Sequence, residues 1–143
     1  MNFDANTWGP HYWFFLHTIA EFYPLTPNEV TIKKHYELIT NMPLFIPDEE
    51  MGNKFSEILD KYPVSPYLDN RDSFVRWMHF IHNKYNHMLG KEEVSLAKSL
   101  DMYREQYKPK KVSFMDNLRL KSRYIHFAFI IVLIMMIYLY YSD

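Results

Sequence analysis

The chain has 143 residues, no cysteine and only three glycines, Gly9, Gly52 and Gly90. Without thiols it can build no disulfide, no thiolate metal site, no iron–sulfur cluster and no cysteine nucleophile. The same lack removes the usual sign of redox compartment. Scarce glycine argues against a turn-rich β sandwich. A glycine-rich phosphate loop, a Gly-x-Ser-x-Gly elbow and a nucleic-acid-binding motif are all missing. Internal repeats and strand-like alternation are missing as well. Net charge is -1, which gives no reason to expect a nucleic-acid partner.

What the chain does have is aromatic side chains, at 18%. Large apolar residues with few glycines suit a helical core, and the spacing agrees. Met51, Phe55, Ile58, Leu59 and Tyr62 fall on one helical face. Phe74, Trp77, Met78, Ile81, Tyr85 and Met88 make a stripe over 71–88, and Leu96, Ala97, Leu100, Tyr103 and Tyr107 make one over 94–107. A weaker stripe, Ile32, Tyr36 and Ile39, predicts a helix over 29–42. Residues 10–22 are apolar on nearly every face and are expected to form the most buried helix. Turn chemistry breaks these runs at 24–28, 43–47, 63–70 and Gly90, with Asn28, Asp48 and Asn70 as N-caps. The expected fold is all-α: a bundle of four or five helices over residues 1–107.

Charge is unevenly placed. Residues 1–107 hold 10 Lys/Arg and 15 Asp/Glu, whereas 108–123 hold six basic groups against Asp116. Residues 108–124 therefore read as a basic stalk, short and helical at least in part. Residues 125–141, IHFAFIIVLIMMIYLYY, carry His126 as their one ionisable group besides tyrosines. As a helix these 17 residues reach roughly 26 Å at about 1.5 Å per residue, close to the roughly 30 Å of a bilayer core. No polar face interrupts the run, so a membrane helix of the tail-anchor type is expected. Tyr138, Tyr140 and Tyr141 would lie at one interface. The basic stalk on the N-terminal side places the body on the cytoplasmic side and offers charge to anionic headgroups. The start, Met1-Asn2-Phe3-Asp4, lacks the basic region of a signal peptide.

The helix over 71–88 carries a second stripe. His79, His82, Asn83 and Asn86 fall at i, i+3, i+4 and i+7 beside the apolar one. Such a stripe is either a solvated face or the wall of a ligand pocket. His79 and His82, with His87 near, suggest zinc chemistry, but no third close ligand is evident and no metal centre is expected. Glu49-Glu50 and Glu92-Glu93 are sequence neighbours that point different ways on a helix, so they read as solvated helix starts.

Five blocks stand in order: Trp8-Gly9, Trp13-x-x-x-His17, Tyr23-Pro24, Asp48-Glu49-Glu50-Met51, and His82-Asn83-x-x-Asn86 followed by Gly90-Lys91. In these blocks, over roughly residues 6–107, the chain resembles the Erv/ALR family of FAD-linked sulfhydryl oxidases, in the short form of large DNA viruses. The resemblance implies an FAD-holding helical bundle, commonly dimeric. It assigns Trp8, Gly9, Trp13, His17 and Tyr23 to one cofactor-contacting helix and its end. Trp77, His82, Asn83 and Asn86 fall on the adenosine side, and Lys91 beside the phosphates. Aromatics can stack on flavin or adenine, and the imidazoles and amides can bond ring edges and ribose. Asp48 and Met51, however, stand where the family carries Cys-x-x-Cys. Thiol–disulfide exchange needs those sulfurs. The expectation is thus a catalytically inactive, membrane-anchored interaction module, on the viral analogy a virion component linking inner membrane and capsid proteins. The alternative is a flavoprotein that keeps FAD and works with a partner's thiols.

Overall fold

A computed structural model describes residues 3–109 and 114–142. Lys110 and Lys111 of the expected stalk lie outside the described residues. Every regular element among the described residues is helical. The chain divides into two units, Met1–Tyr107 and Lys108–Asp143.

The first unit holds five α-helices: α1 Ala5–Phe22, α2 Glu29–Asn41, α3 Glu49–Lys61, α4 Arg71–Met88 and α5 Leu96–Glu105. Short 3₁₀ turns, Met42–Phe45 and Ser65–Tyr67, connect α2 to α3 and α3 to α4. Local side chains start these helices as the sequence implied. Asn28 accepts from Thr31 N at 2.8 Å, Asp48 from Met51 N at 2.9 Å and Asn70 from Ser73 N at 2.9 Å. Each satisfies an N–H that the helix itself leaves unpaired.

Helix α1 begins five residues earlier than its proline suggested, because Asp4 caps it, accepting from Asn6 N at 2.9 Å. Pro10 therefore lies inside the helix rather than at its first turn.

α1 is also not the most buried helix. It buries Leu16 and Ala20, while α4 buries Phe74, Trp77, Met78, Ile81 and Tyr85. The physical reason is division of labour around α1. One face joins the core, a second faces a cavity, and a third leaves Phe15 48% and Phe22 86% exposed.

The core is apolar throughout, with no buried polar or charged residue among those described. α4 forms its spine, with α1 and α3 packed along it. α3 also sits against the Met42–Phe45 turn, and there Gly52 matters: a Cβ on it would stand 2.8 Å from Pro43 O. The missing side chain lets the first turn of α3, with Asp48 and Met51, lie close on that turn.

In the second unit α6 runs from Phe114 to Ser142. Its stretch Lys121–Tyr141 has 21 residues and a mean hydropathy of 2.1, long and apolar enough to cross a membrane. At about 1.5 Å per residue that is roughly 32 Å, a closer match to the bilayer core than residues 125–141 alone. The one imidazole near its start is bonded within the helix: His126 Nδ1 lies 2.6 Å from Ser122 O.

Candidate functional site

A cavity of about 340 Å³ opens between α1, α4, α5 and the 89–94 loop. That size is at the low end for small-molecule sites, roughly 300–1,000 Å³. Trp8, Gly9, Trp13, Phe14 and His17 of α1 line it with His79, His82, Asn83 and Asn86 of α4. Met51 of α3, Lys91 of the loop, and Met102 and Tyr103 of α5 contribute further wall.

At its centre, rings are stacked and bonded. The Trp13 indole lies flat on the His82 imidazole, centroids 3.9 Å apart and planes at 6°. Phe55 and Tyr85 meet Trp13 edge-on at 5.9 and 5.7 Å. His17 Nε2 and His82 Nδ1 share a hydrogen bond of 2.9 Å, so one of these nitrogens must carry the proton and the other its lone pair.

Burial holds both imidazoles neutral. Desolvation, with the His79 charge next, lowers His17 to about 4. Desolvation again, then His17, His79 and Lys91, lowers His82 to about 3. His79 is lowered by burial too, against the pull of Glu93. These imidazoles therefore enter the cavity as neutral donors and acceptors near pH 7.

In the unfolded chain each histidine takes up its proton near pH 6.5. In the folded chain His17 and His82 resist protonation down to about 4 and 3. Below pH 6.5 the unfolded state binds more protons, so stability is complete above that value and falls as pH drops toward 4. The expected loss between pH 7 and 4 is on the order of a few kcal/mol. Urea titrations of wild type and His82→Gln check it: the variant should lose a visible part of that pH dependence.

The backbone sets the rim. Gly90 has φ 68°, and the bonds Lys91 N to Asn86 O (2.9 Å) and Gly90 N to His87 O (3.1 Å) close α4 as a Schellman motif. This fixes Lys91 at the mouth of the cavity, where its amino group makes no ion pair among the described residues. Below it, Asn83 uses its amide on the loop. Nδ2 donates to Val94 O at 2.8 Å, and Oδ1 accepts from Val94 N at 3.0 Å.

Eight of the ten residues expected from the sequence line the cavity: Trp8, Gly9, Trp13, His17, His82, Asn83, Asn86 and Lys91. The structure does not bring the other two to it. Tyr23 is fully buried, and its hydroxyl donates to Leu68 O at 2.9 Å. Trp77 is 2% exposed and donates from Nε1 to Tyr62 O at 3.1 Å. Both belong to the core. Trp77 is five residues from His82, and at about 100° per residue the two stand roughly 140° apart around α4. Sequence reasoning missed Phe14, Met102 and Tyr103 as wall. Tyr103 had been read as part of an apolar core stripe, and nothing in its spacing distinguishes core from cavity.

Asp48 and Met51 occupy the first turn of α3. Met51 is part of the cavity wall, and its carbonyl accepts from the Tyr85 hydroxyl at 3.3 Å. The Tyr85 phenol is pushed up to about 12 by burial and by Asp48.

The residue types around the cavity suit a flat-ringed ligand that carries phosphate. Flat aromatic walls suit a ring system, neutral imidazoles suit ring edges, and a cation at the mouth suits phosphate.

The Erv1 / Alr family model matches residues 10–108. A probable FAD-linked sulfhydryl oxidase of Acanthamoeba polyphaga mimivirus is 28% identical over 107 residues, 74% of this chain and 75% of that protein. A FAD-linked sulfhydryl oxidase of African swine fever virus is 28% identical over 98 residues, 68% of this chain and 81% of its own. The Arabidopsis thaliana sulfhydryl oxidase ERV1 is 35% identical over 79 residues, 55% of this chain but only 40% of the plant protein. Among solved structures, the yeast Erv1 core superposes with a TM-score of 0.63 at 21% identity, covering 78% of this chain and 89% of that one.

Proposed function

We propose, for a chain that belongs to the Erv1/Alr family, a role its relatives' names do not carry: a membrane-anchored interaction module that keeps the oxidase scaffold and oxidises no thiols. The carrying observation is the start of α3. Asp48 caps the helix and Met51 walls the cavity, where the resemblance expects two cysteines. A carboxylate and a thioether cannot exchange with a disulfide. They do suit a helix start, with Glu49 and Glu50 favourable in the first turn against the helix dipole.

The α6 helix seats this module in a membrane, with the basic stalk at headgroup level and the body on the cytoplasmic side. Phe22, Leu25 and Val30 are 86%, 66% and 68% exposed and offer a protein partner an apolar surface. A second copy of the chain is the first partner to test. By analogy with viral relatives, the membrane is a virion's inner one and further partners are capsid proteins.

A second reading has its own support, the aromatic rings, imidazoles and Lys91 gathered on the cavity. In it the chain holds FAD, as its relatives' names say of them. Trp13 and Phe14 would flank the rings, His17 and His82 would bond their edges, and Lys91 would face phosphate. A flavin there supplies a two-electron acceptor, while the chain's own residues bind and orient it.

One preparation of the full chain in detergent tests both. Oxygen uptake with an added dithiol is expected to stay at the level of free flavin, and turnover above that level would overturn the module reading. Visible flavin absorbance that survives gel filtration is expected on the second reading, and a colourless folded protein would end it.

A further inference from the structure

Helix α5 differs from the other helices of the body. Helices α1 to α4 each bury at least one residue, and α5 buries none. Its ten residues are too few to be helical alone in water. Met102 and Tyr103 face the cavity, and Met102 remains 54% exposed.

The hydrogen bonds that tie α5 to the rest of the body gather at its two ends. Before the helix, Asn83 grips both backbone groups of Val94, at 2.8 and 3.0 Å. Toward its end the Tyr103 hydroxyl lies 3.2 Å from Thr18 Oγ1 and 2.9 Å from the Tyr107 hydroxyl. The Phe14 ring lies beside both tyrosines, at 5.6 and 5.7 Å. Ahead of the Asn83 grip, Lys91 is tied to the end of α4, and Glu92 and Glu93 are not helical. These two residues link the end of α4 to the Asn83 grip without helical bonds of their own. The Lys84–Glu93 pair across this link is 3.9 Å long and half-exposed, so it adds little.

We propose that α5 is a lid over the cavity, that Asn83 is the positioning residue holding it shut, and that a flat-ringed nucleotide in the cavity closes it further. The occupant rests on the flavin reading above; the lid does not. Asn83 suits the task because its amide is at once donor and acceptor, matching the N–H and C=O of Val94. It acts through Val94, and its amide is already committed there rather than available to a ligand. A ligand touching Met102 and Tyr103 binds the closed form better, and its occupancy therefore slows opening.

Hydrogen exchange of the full chain in detergent tests this, with wild type and Asn83→Ala, each with and without added FAD. In the flavin-free wild type, α5 amides are expected to exchange at least about tenfold faster than those of α3 and α4. Asn83→Ala should speed α5 by a further factor on the order of ten while α3 stays unchanged, the effect of losing two hydrogen bonds at one end. FAD should slow α5 in the wild type. Exchange of α5 in step with α3 and α4, or equal acceleration everywhere in the variant, overturns the lid. So does bound FAD that leaves α5 unchanged. If no FAD binds, the flavin reading and the occupant fall together, while the flavin-free exchange still decides the lid.

Discussion

Trp77→Ala is expected to cost about 3–5 kcal/mol of stability, as large-to-small changes of buried tryptophan do. That is a large share of the roughly 5–15 kcal/mol that holds a domain folded. The indole is 2% exposed and stacks on Phe74 at 6.1 Å. Its removal leaves a cavity in the middle of α4's buried face and takes the donor from Tyr62 O. Trp77→Phe is the milder change, since it keeps a six-membered ring in place and loses the hydrogen bond together with a smaller part of the packed volume, so its cost should fall well below that of Trp77→Ala. Urea unfolding followed by circular dichroism reads both variants. A Trp77→Ala protein with the wild-type midpoint would return Trp77 to the list of ligand residues and remove it from the core.

Deleting residues 125–141 is expected to move the protein wholly from the membrane pellet to the soluble fraction. Near the bilayer centre each Ile, Leu, Phe or Val favours insertion by roughly 0.3–0.6 kcal/mol. The run from Phe127 to Ile137 therefore sums to several kcal/mol. Leu133→Arg gives a graded version. One arginine at the centre opposes insertion by about 3 kcal/mol, so a partial shift into the alkaline-extractable fraction is expected. Retention of the deleted protein in the pellet would show that something other than α6 holds it there.

How far the sequence could be read depended on the range of the interaction concerned. The caps at Asn28, Asp48 and Asn70 were legible because a cap is settled by side chains within three residues. The bounds of α4 were legible for the same reason, with Asn70 at one end and Gly90 past the other. α1 misled twice. Pro10 looked like a helix start, and only Asp4, whose cap competes with that signal, moved the start earlier. Its all-round apolar surface looked like deep burial, yet periodicity cannot say whether an apolar face meets core, cavity or solvent. The same limit explains the site. His82, Asn83 and Asn86 share a stripe and were found. Trp77 was adjacent in the motif but on another face of the helix. The walls from α5 arise from tertiary placement alone, and so does the Asn83 grip on Val94, which joins residues 11 apart.

The order of elements along the chain sets α5 apart as well. It lies between the four helices that share the core and the helix α6. Within the body it is the last helix, following α4. A segment with no buried residue and hydrogen bonds at its two ends yields before a packed core does. α5 would thus be the first element of the body to come loose, uncovering the cavity while α1 to α4 keep their shared core.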